Sequence, residues 1–160
     1  MIRAEVTENP IVPEAVLDGF NSSRDGAILL FLGVVRDHHE GREVKGLEYE
    51  AYEEMAQDVL AEIGQEARDR FGVEAISMVH RVGELAIGEV SLAVSVASPH
   101  RVEAYEASRF VIENIKARLP VWKKEHYAKG APEWVEGTTP APSGPETRLS
   151  GEERREGELE

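Results

Sequence analysis

Hydrophobic positions along this chain follow two periods, and the switching between them sets the expected elements. Ile2–Val6 reads as a short strand. Pro13–Phe20 reads as a short helix with proline in its first turn. Ala27–Val35 holds Ile28, Leu29, Leu30, Phe31 and Leu32 without a break, which predicts a buried strand. Val44, Leu47, Tyr49 and Ala51 alternate loosely and predict a strand over Val44–Tyr52. In Glu53–Phe71, Met55, Val59, Leu60, Ile63 and Ala67 recur at helical spacing, and Gly72 follows as a C-terminal cap. Ala75–Val82 and Val90–Ala97 are strands, the second alternating Val90, Leu92, Val94 and Val96. Pro99–Arg118 is a second long helix. Val121–Tyr127 and Glu133–Glu136 are short strands. Two long helices against about five strands define a layered domain of the α+β or α/β type.

The pattern stops at Gly137. From there the chain is rich in Gly and Pro, then in Glu and Arg, with Leu149 and Leu159 its only large apolar residues. The expectation is one domain over residues 1–136 and a tail over 137–160. That tail buries too little to offset its ordering entropy, so it is mobile unless it docks. There is no cysteine, which excludes a disulfide scaffold, thiolate metal sites and cysteine nucleophiles. No apolar run reaches the roughly 20 residues of a membrane span, and Met1–Glu5 shows no leader-like apolar stretch. A cytoplasmic location is the expectation. The net charge of -13 speaks against nucleic acid, whose phosphates it repels.

Against that background, His100 to Lys129 carries seven Lys or Arg and four Glu. A local positive excess in so acidic a chain points to a bound anion or an acidic partner. Ser98 suits the N-cap and Pro99 the first helical position. His100 and Arg101 then fall at the positive end of the helix dipole, where each cation costs about 0.3–1 kcal/mol. An anion bridging them and the free N–H groups accounts for the placement; so does compensation of Arg101 by Glu103 or Glu106. Lys116 complements the other helix end without further function. However, Pro120-Val121-Trp122-Lys123-Lys124-Glu125 follows, with adjacent lysines that point to opposite faces of an extended stretch. One of them can enter a pocket lined by Trp122, where desolvation beside other cations lowers a lysine pKa. The alternative is a solvated surface strand.

Phe31-Leu32-Gly33-Val34-Val35-Arg36 ends the apolar run at a guanidinium, a placement suited to phosphate or carboxylate. Gly33 permits close backbone approach. The competing reading of Arg36 is a salt bridge to Asp37. Neither the adjacent, diverging His38 and His39 nor His80, His100 and His126 show ligand spacing, so no metal is expected. Gly83 and Gly88 frame a turn between two strands, and His80 and Gly88 read as architecture.

Four segments together resemble the large, catalytic subunit of molybdopterin synthase. They are Phe31-x-Gly33-x-Val35-Arg36, His80-Arg81-x-Gly83-x-Leu85-x-x-Gly88-Glu89, Ser98-x-His100-Arg101, and Lys116-x-x-x-Pro120-x-Trp122-Lys123-Lys124-Glu125. The resemblance covers about residues 1–136. It implies an α+β domain of the α/β hammerhead type, with a mixed or antiparallel sheet and two long helices. It also implies a homodimer at the centre of a heterotetramer. Each copy would bind a small ubiquitin-like sulfur carrier whose Gly-Gly C-terminus, as a thiocarboxylate, enters a pocket. Sulfur would pass to cyclic pyranopterin monophosphate, forming the molybdopterin dithiolene, with no metal or redox cofactor. By position, Lys116 and Lys123 match catalytic lysines. Val34, Val35, Arg36, His100, Arg101, Lys124 and Glu125 match substrate-contacting segments.

Helix geometry adds a constraint. His100 and Lys116 lie 16 residues apart, about 24 Å along one axis, too far to touch one small pterin. A composite site follows, with His100 and Arg101 of one protomer meeting Arg36, Lys116 and Lys123 of its partner. The alternative from another class is a non-catalytic dimeric module that binds an acidic protein tail or a phosphorylated metabolite. The glutamates of the tail are a further candidate for the basic pocket when the carrier is absent.

Overall fold

The computed structural model describes residues 1–135; residues 136–160, with the expected tail, lie outside the described residues. The described residues form two β-sheets. The first holds β1 (Ile2–Thr7), β5 (Ala75–Arg81), β7 (Val90–Ser98) and β2 (Ala27–Val34) in the order β1-β5-β7-β2. Only the β1–β5 pair is parallel. The second sheet runs β3 (His38–His39), β4 (Arg42–Ala51), β8 (Val121–Tyr127) and β9 (Glu133–Val135), with β6 (Gly83–Ala86) also pairing β4.

Helices α2 (Glu53–Phe71) and α3 (Arg101–Arg118) pack on one face of the first sheet. Leu60, Ile63 and Ala67 of α2 meet Ala104, Ala107, Val111 and Ile115 of α3 over Ile76, Met78, Leu92, Val94 and Val96. The helical spacing of these residues therefore marks the core. The short α1 (Pro13–Val16) covers part of the other face through Val16, against Val79 and Ala93. Gly72 caps α2 at φ +65°, with its N–H on the Arg68 carbonyl, a left-handed conformation that costs glycine least.

Three expectations need correction. The apolar run of β2 is not buried on both faces. It forms a sheet edge, where Ile28 (48%) and Leu30 (38%) remain exposed while Leu29 and Phe31 pack on the core. The N-cap of α3 is His100, not Ser98. Ser98 is taken up by β7, pairing Ala27, and its carbonyl accepts from Gly26 N–H at 3.1 Å. Finally, the Gly-framed link between β5 and β7 is not only a turn. Its residues 83–86 form β6, which leaves the first sheet and pairs Gly46–Tyr49 of β4. That crossover joins the two sheets, and Arg81 and Glu89 clasp its ends at 3.2 Å.

Candidate active site

The register of β4 and β8 decides which side chains share a face. Tyr49 pairs Lys123 and Leu47 pairs Glu125, while Glu48 pairs Lys124 and Glu50 pairs Trp122. Side chains alternate along a strand, so Lys123 and Glu125 project together. The face they share looks onto the C-terminal end of α3 and the end of β2. Two adjoining cavities of about 260 and 380 Å³ open there, both lined by Gly33, Arg36, Tyr49, Ser91, Lys116 and Lys123. The larger adds Val34, Val35 and Glu125; the smaller adds His80, Leu119 and Val121.

Arg36 arrives through a register shift at Gly33/Val34, where β2 breaks away from β7. A Cβ built on Gly33 would meet nothing nearer than Leu92 Cβ at 3.5 Å. Close backbone approach is therefore not the reason for this glycine; the missing side chain leaves the cavity open. The alternative salt bridge to Asp37 is not formed: the Asp37 carboxylate is bound by His38 Nδ1 at 2.8 Å.

Lys116, Lys123 and Arg36 gather three cations around one space. The Lys116 pKa lies below its ordinary value, through desolvation first and then the charges of Lys123 and Arg36. Lys116 as a residue stays solvent-accessible, so its amine is partly rather than fully desolvated. Lys123 Nζ lies 3.2 Å from Glu125 Oε1. Glu125 is buried, its Oε2 has no hydrogen-bond partner among the described residues, and His39 Nδ1 stands 3.9 Å from Oε1. Tyr49 has a raised pKa, through burial first; the Ser91 hydroxyl opposes the shift and Glu125 adds to it.

The structure thus brings together Val34, Val35, Arg36, Lys116, Lys123 and Glu125. It does not bring His100, Arg101 or Lys124 to them within one chain. His100 and Arg101 sit exposed at the far end of α3. Lys124 lies on the other face of β8, with Nζ 5.6 Å from the Trp134 ring centroid. Trp122 does not line the pocket; it shares the face of Lys124 and stacks edge-on with Tyr52 at 5.1 Å. Sequence reasoning missed Tyr49, His80, Ser91 and His39 as lining residues. Only Tyr49 carried a signal, its place in the alternation of β4.

Fold and site define a two-sheet α+β protein with a cationic pocket at the end of its second long helix. The family model described as the MoaE protein matches residues 6–118. The molybdopterin synthase catalytic subunit of Halalkalibacterium halodurans is 43% identical over 128 residues, 80% of this chain and 82% of that one. The Bacillus subtilis subunit of the same name is 40% identical over 156 residues, covering 96% and 99%. The crystal structure of molybdopterin synthase from Staphylococcus aureus superposes with TM-score 0.79 at 37% identity, covering 84% of this chain and 98% of that one. This chain belongs to the MoaE family.

Proposed function

We propose that this chain is the catalytic subunit of a molybdopterin synthase. It takes sulfur from the thiocarboxylate of a small carrier protein and delivers it to cyclic pyranopterin monophosphate, building the dithiolene. The observation that carries the reading is the convergence of Arg36, Lys116 and Lys123 on one pocket in a chain of net charge -13. Both substrates are anionic there: a cyclic phosphate and a thiocarboxylate. Guanidinium and ammonium groups in a partly desolvated space hold such charges far better than in water.

Attack by sulfur on the pterin side chain needs charge stabilisation and proton transfer. A lysine of lowered pKa, such as Lys116, serves both ends. Lys123 is placed by Glu125 and faces the same space. The relatives named above are catalytic subunits, which favours the chemical reading over the binding one.

The site is composite in this reading. α3 spans 18 residues, about 27 Å, with His100 and Arg101 at one end and Lys116 near the other. A two-fold dimer brings one copy's phosphate-holding end to its partner's lysine end. Support comes from the uncovered apolar residues of β2 and from Val102 and Tyr105, exposed beside Arg101. The carrier completes a heterotetramer. We also place the reaction in the cytoplasm; among the described residues no helix is long and apolar enough to cross a membrane.

Single-turnover conversion of the pterin by thiocarboxylated carrier tests the proposal. Lys116→Ala is expected to abolish conversion while carrier binding persists. Unchanged conversion would remove Lys116 from the mechanism.

A further inference from the structure

His80 read from sequence as architecture, yet it stands in the wall of the same cavity as Lys116. Its Nδ1 lies 2.8 Å from the Arg81 carbonyl oxygen. A carbonyl oxygen only accepts, so Nδ1 carries the hydrogen and donates it. Nε2 is left with a lone pair, and that bond to Arg81 is the ring's only one among the described residues. The ring plane is fixed as well. Tyr49 stands edge-on at 5.0 Å and 83°, and His80 as a residue is 6% exposed. Direction and tautomer are therefore both set.

The surroundings explain why a neutral acceptor is useful. Lys116 on α3, Lys123 and Glu125 on β8, His38 and His39 of β3, Arg36 beyond β2 and Tyr49 on β4 are the other ionisable groups lining this space. Glu125 pairs with Lys123 at 3.2 Å and is approached by His39 at 3.9 Å, and among the described residues the Lys116 amine has no fixed partner. A second carboxylate would fix it but would also repel an anionic substrate. A fourth cation would repel the amine. A histidine kept neutral does neither, and burial, with the nearby Lys116 charge, holds this one down to about 4 against the opposing pull of the Arg81 carbonyl.

We propose that His80 is a positioning residue for Lys116: its Nε2 accepts a hydrogen bond from the Lys116 amine and sets the direction in which that amine faces the substrate. This rests on the function proposed above. The experiment has two readouts, so that either reading can fail without the other. The first is the titration of Lys116 in the free protein, followed by NMR of ¹³C-labelled lysine and assigned by loss of the signal in Lys116→Arg. The second is the single-turnover rate.

An acceptor stabilises the protonated amine, so removing it lowers the Lys116 pKa further. His80→Phe is expected to shift that titration to lower pH and to slow turnover about ten- to a hundredfold, with little change in KM. His80→Gln places an amide oxygen near the position of Nε2 and is expected to restore most of both. His80→Asn reaches only the position of Nδ1 and is expected to behave as His80→Phe does, which keeps the test intact should the phenylalanine variant not fold. A folded variant without the acceptor whose Lys116 titrates as in the wild type overturns the proposal, whatever its rate. If Lys116 shifts as expected while the wild type transfers no sulfur, the positioning role stands and the function proposed above falls.

Discussion

Lys123 Nζ lies 3.2 Å from Glu125 Oε1, and both side chains project from one face of β8 into the cationic pocket. Glu125 is only 4% exposed, and its second oxygen has no partner among the described residues. Leaving a buried acceptor unsatisfied costs about 1–3 kcal/mol, and a carboxylate opposes any anion that enters. Its compensation is the fixed place of the Lys123 amine. Glu125→Gln removes the charge at nearly constant shape. Inorganic phosphate is expected to bind the variant severalfold more tightly by calorimetry, while single-turnover sulfur transfer falls about tenfold or more as Lys123 loses its anchor. Weaker phosphate binding with an unchanged rate would make the pair incidental.

His80 ties the pocket to stability. Its folded pKa of about 4 lies below the ordinary 6.5, because burial disfavours the charged ring. As pH falls through 6.5 the unfolded chain takes up a proton that the folded chain refuses, so stability drops until pH nears 4. The loss from this group is about 3 kcal/mol in full. Glu66 and Glu89, whose pKa values are held low by hydrogen bonds from Arg118 and from the Ala86 N–H, add a fall of the same sign at lower pH. A comparison with His80→Gln isolates the histidine. Urea unfolding at pH 7 and pH 4.5 should show the wild type losing about 2–3 kcal/mol more than the variant across that interval. Equal losses would mean that the ring is protonated in the folded protein.

Ile28 and Leu30 alternate onto the uncovered face of an edge strand. Such an edge is a template for pairing unless something covers it. Leu30→Glu is expected to move the chain from dimer to monomer in sedimentation velocity, with its far-UV circular dichroism preserved. Sulfur transfer should fall with it, because the composite site proposed above needs both copies. A variant that stays dimeric would place the interface on another face.

Local periodicity made most of the fold legible. Leu60, Ile63 and Ala67 marked α2 to its ends because a helix is written in contiguous spacing, and Gly72 marked its cap. What stayed hidden depends on partners distant in sequence. Gly83–Ala86 is too short to announce a strand, and only its pairing with Gly46–Tyr49 makes it one. Ser98 had the chemistry of a cap, but β7 claimed it through Ala27. The site divides in the same way. Arg36, Lys116 and the Lys123–Lys124 pair stood out as charges where a chain usually turns polar or ends a helix, while Glu125 entered only through the family resemblance. The alternation of β4 marks the face of Tyr49, but nothing near it in sequence says that Lys123 lies opposite, and nothing local marks His80 as lining the pocket. Lys124 shared every local feature of Lys123, and strand alternation sent it to the other face, against Trp134.

The proposed composite site makes the strongest demand on the dimer. Within one chain, α3 separates Arg101 from Lys116 by 15 residues, about 22 Å along the axis. Arg101→Ala and Lys116→Ala should therefore each inactivate both sites of their own homodimers. When the two variants are mixed under conditions that exchange subunits, half of the dimers become mixed. In a mixed dimer one site collects both defects. The other draws Arg101 from the Lys116→Ala copy and Lys116 from the Arg101→Ala copy, and is whole. Random exchange should thus restore roughly a quarter of the wild-type sites, as two-fold symmetry requires. Active-site titration by single turnover counts them directly. A mixture as inactive as its components would show that Arg101 and Lys116 of the same chain serve the same site, and the two-copy arrangement would fall.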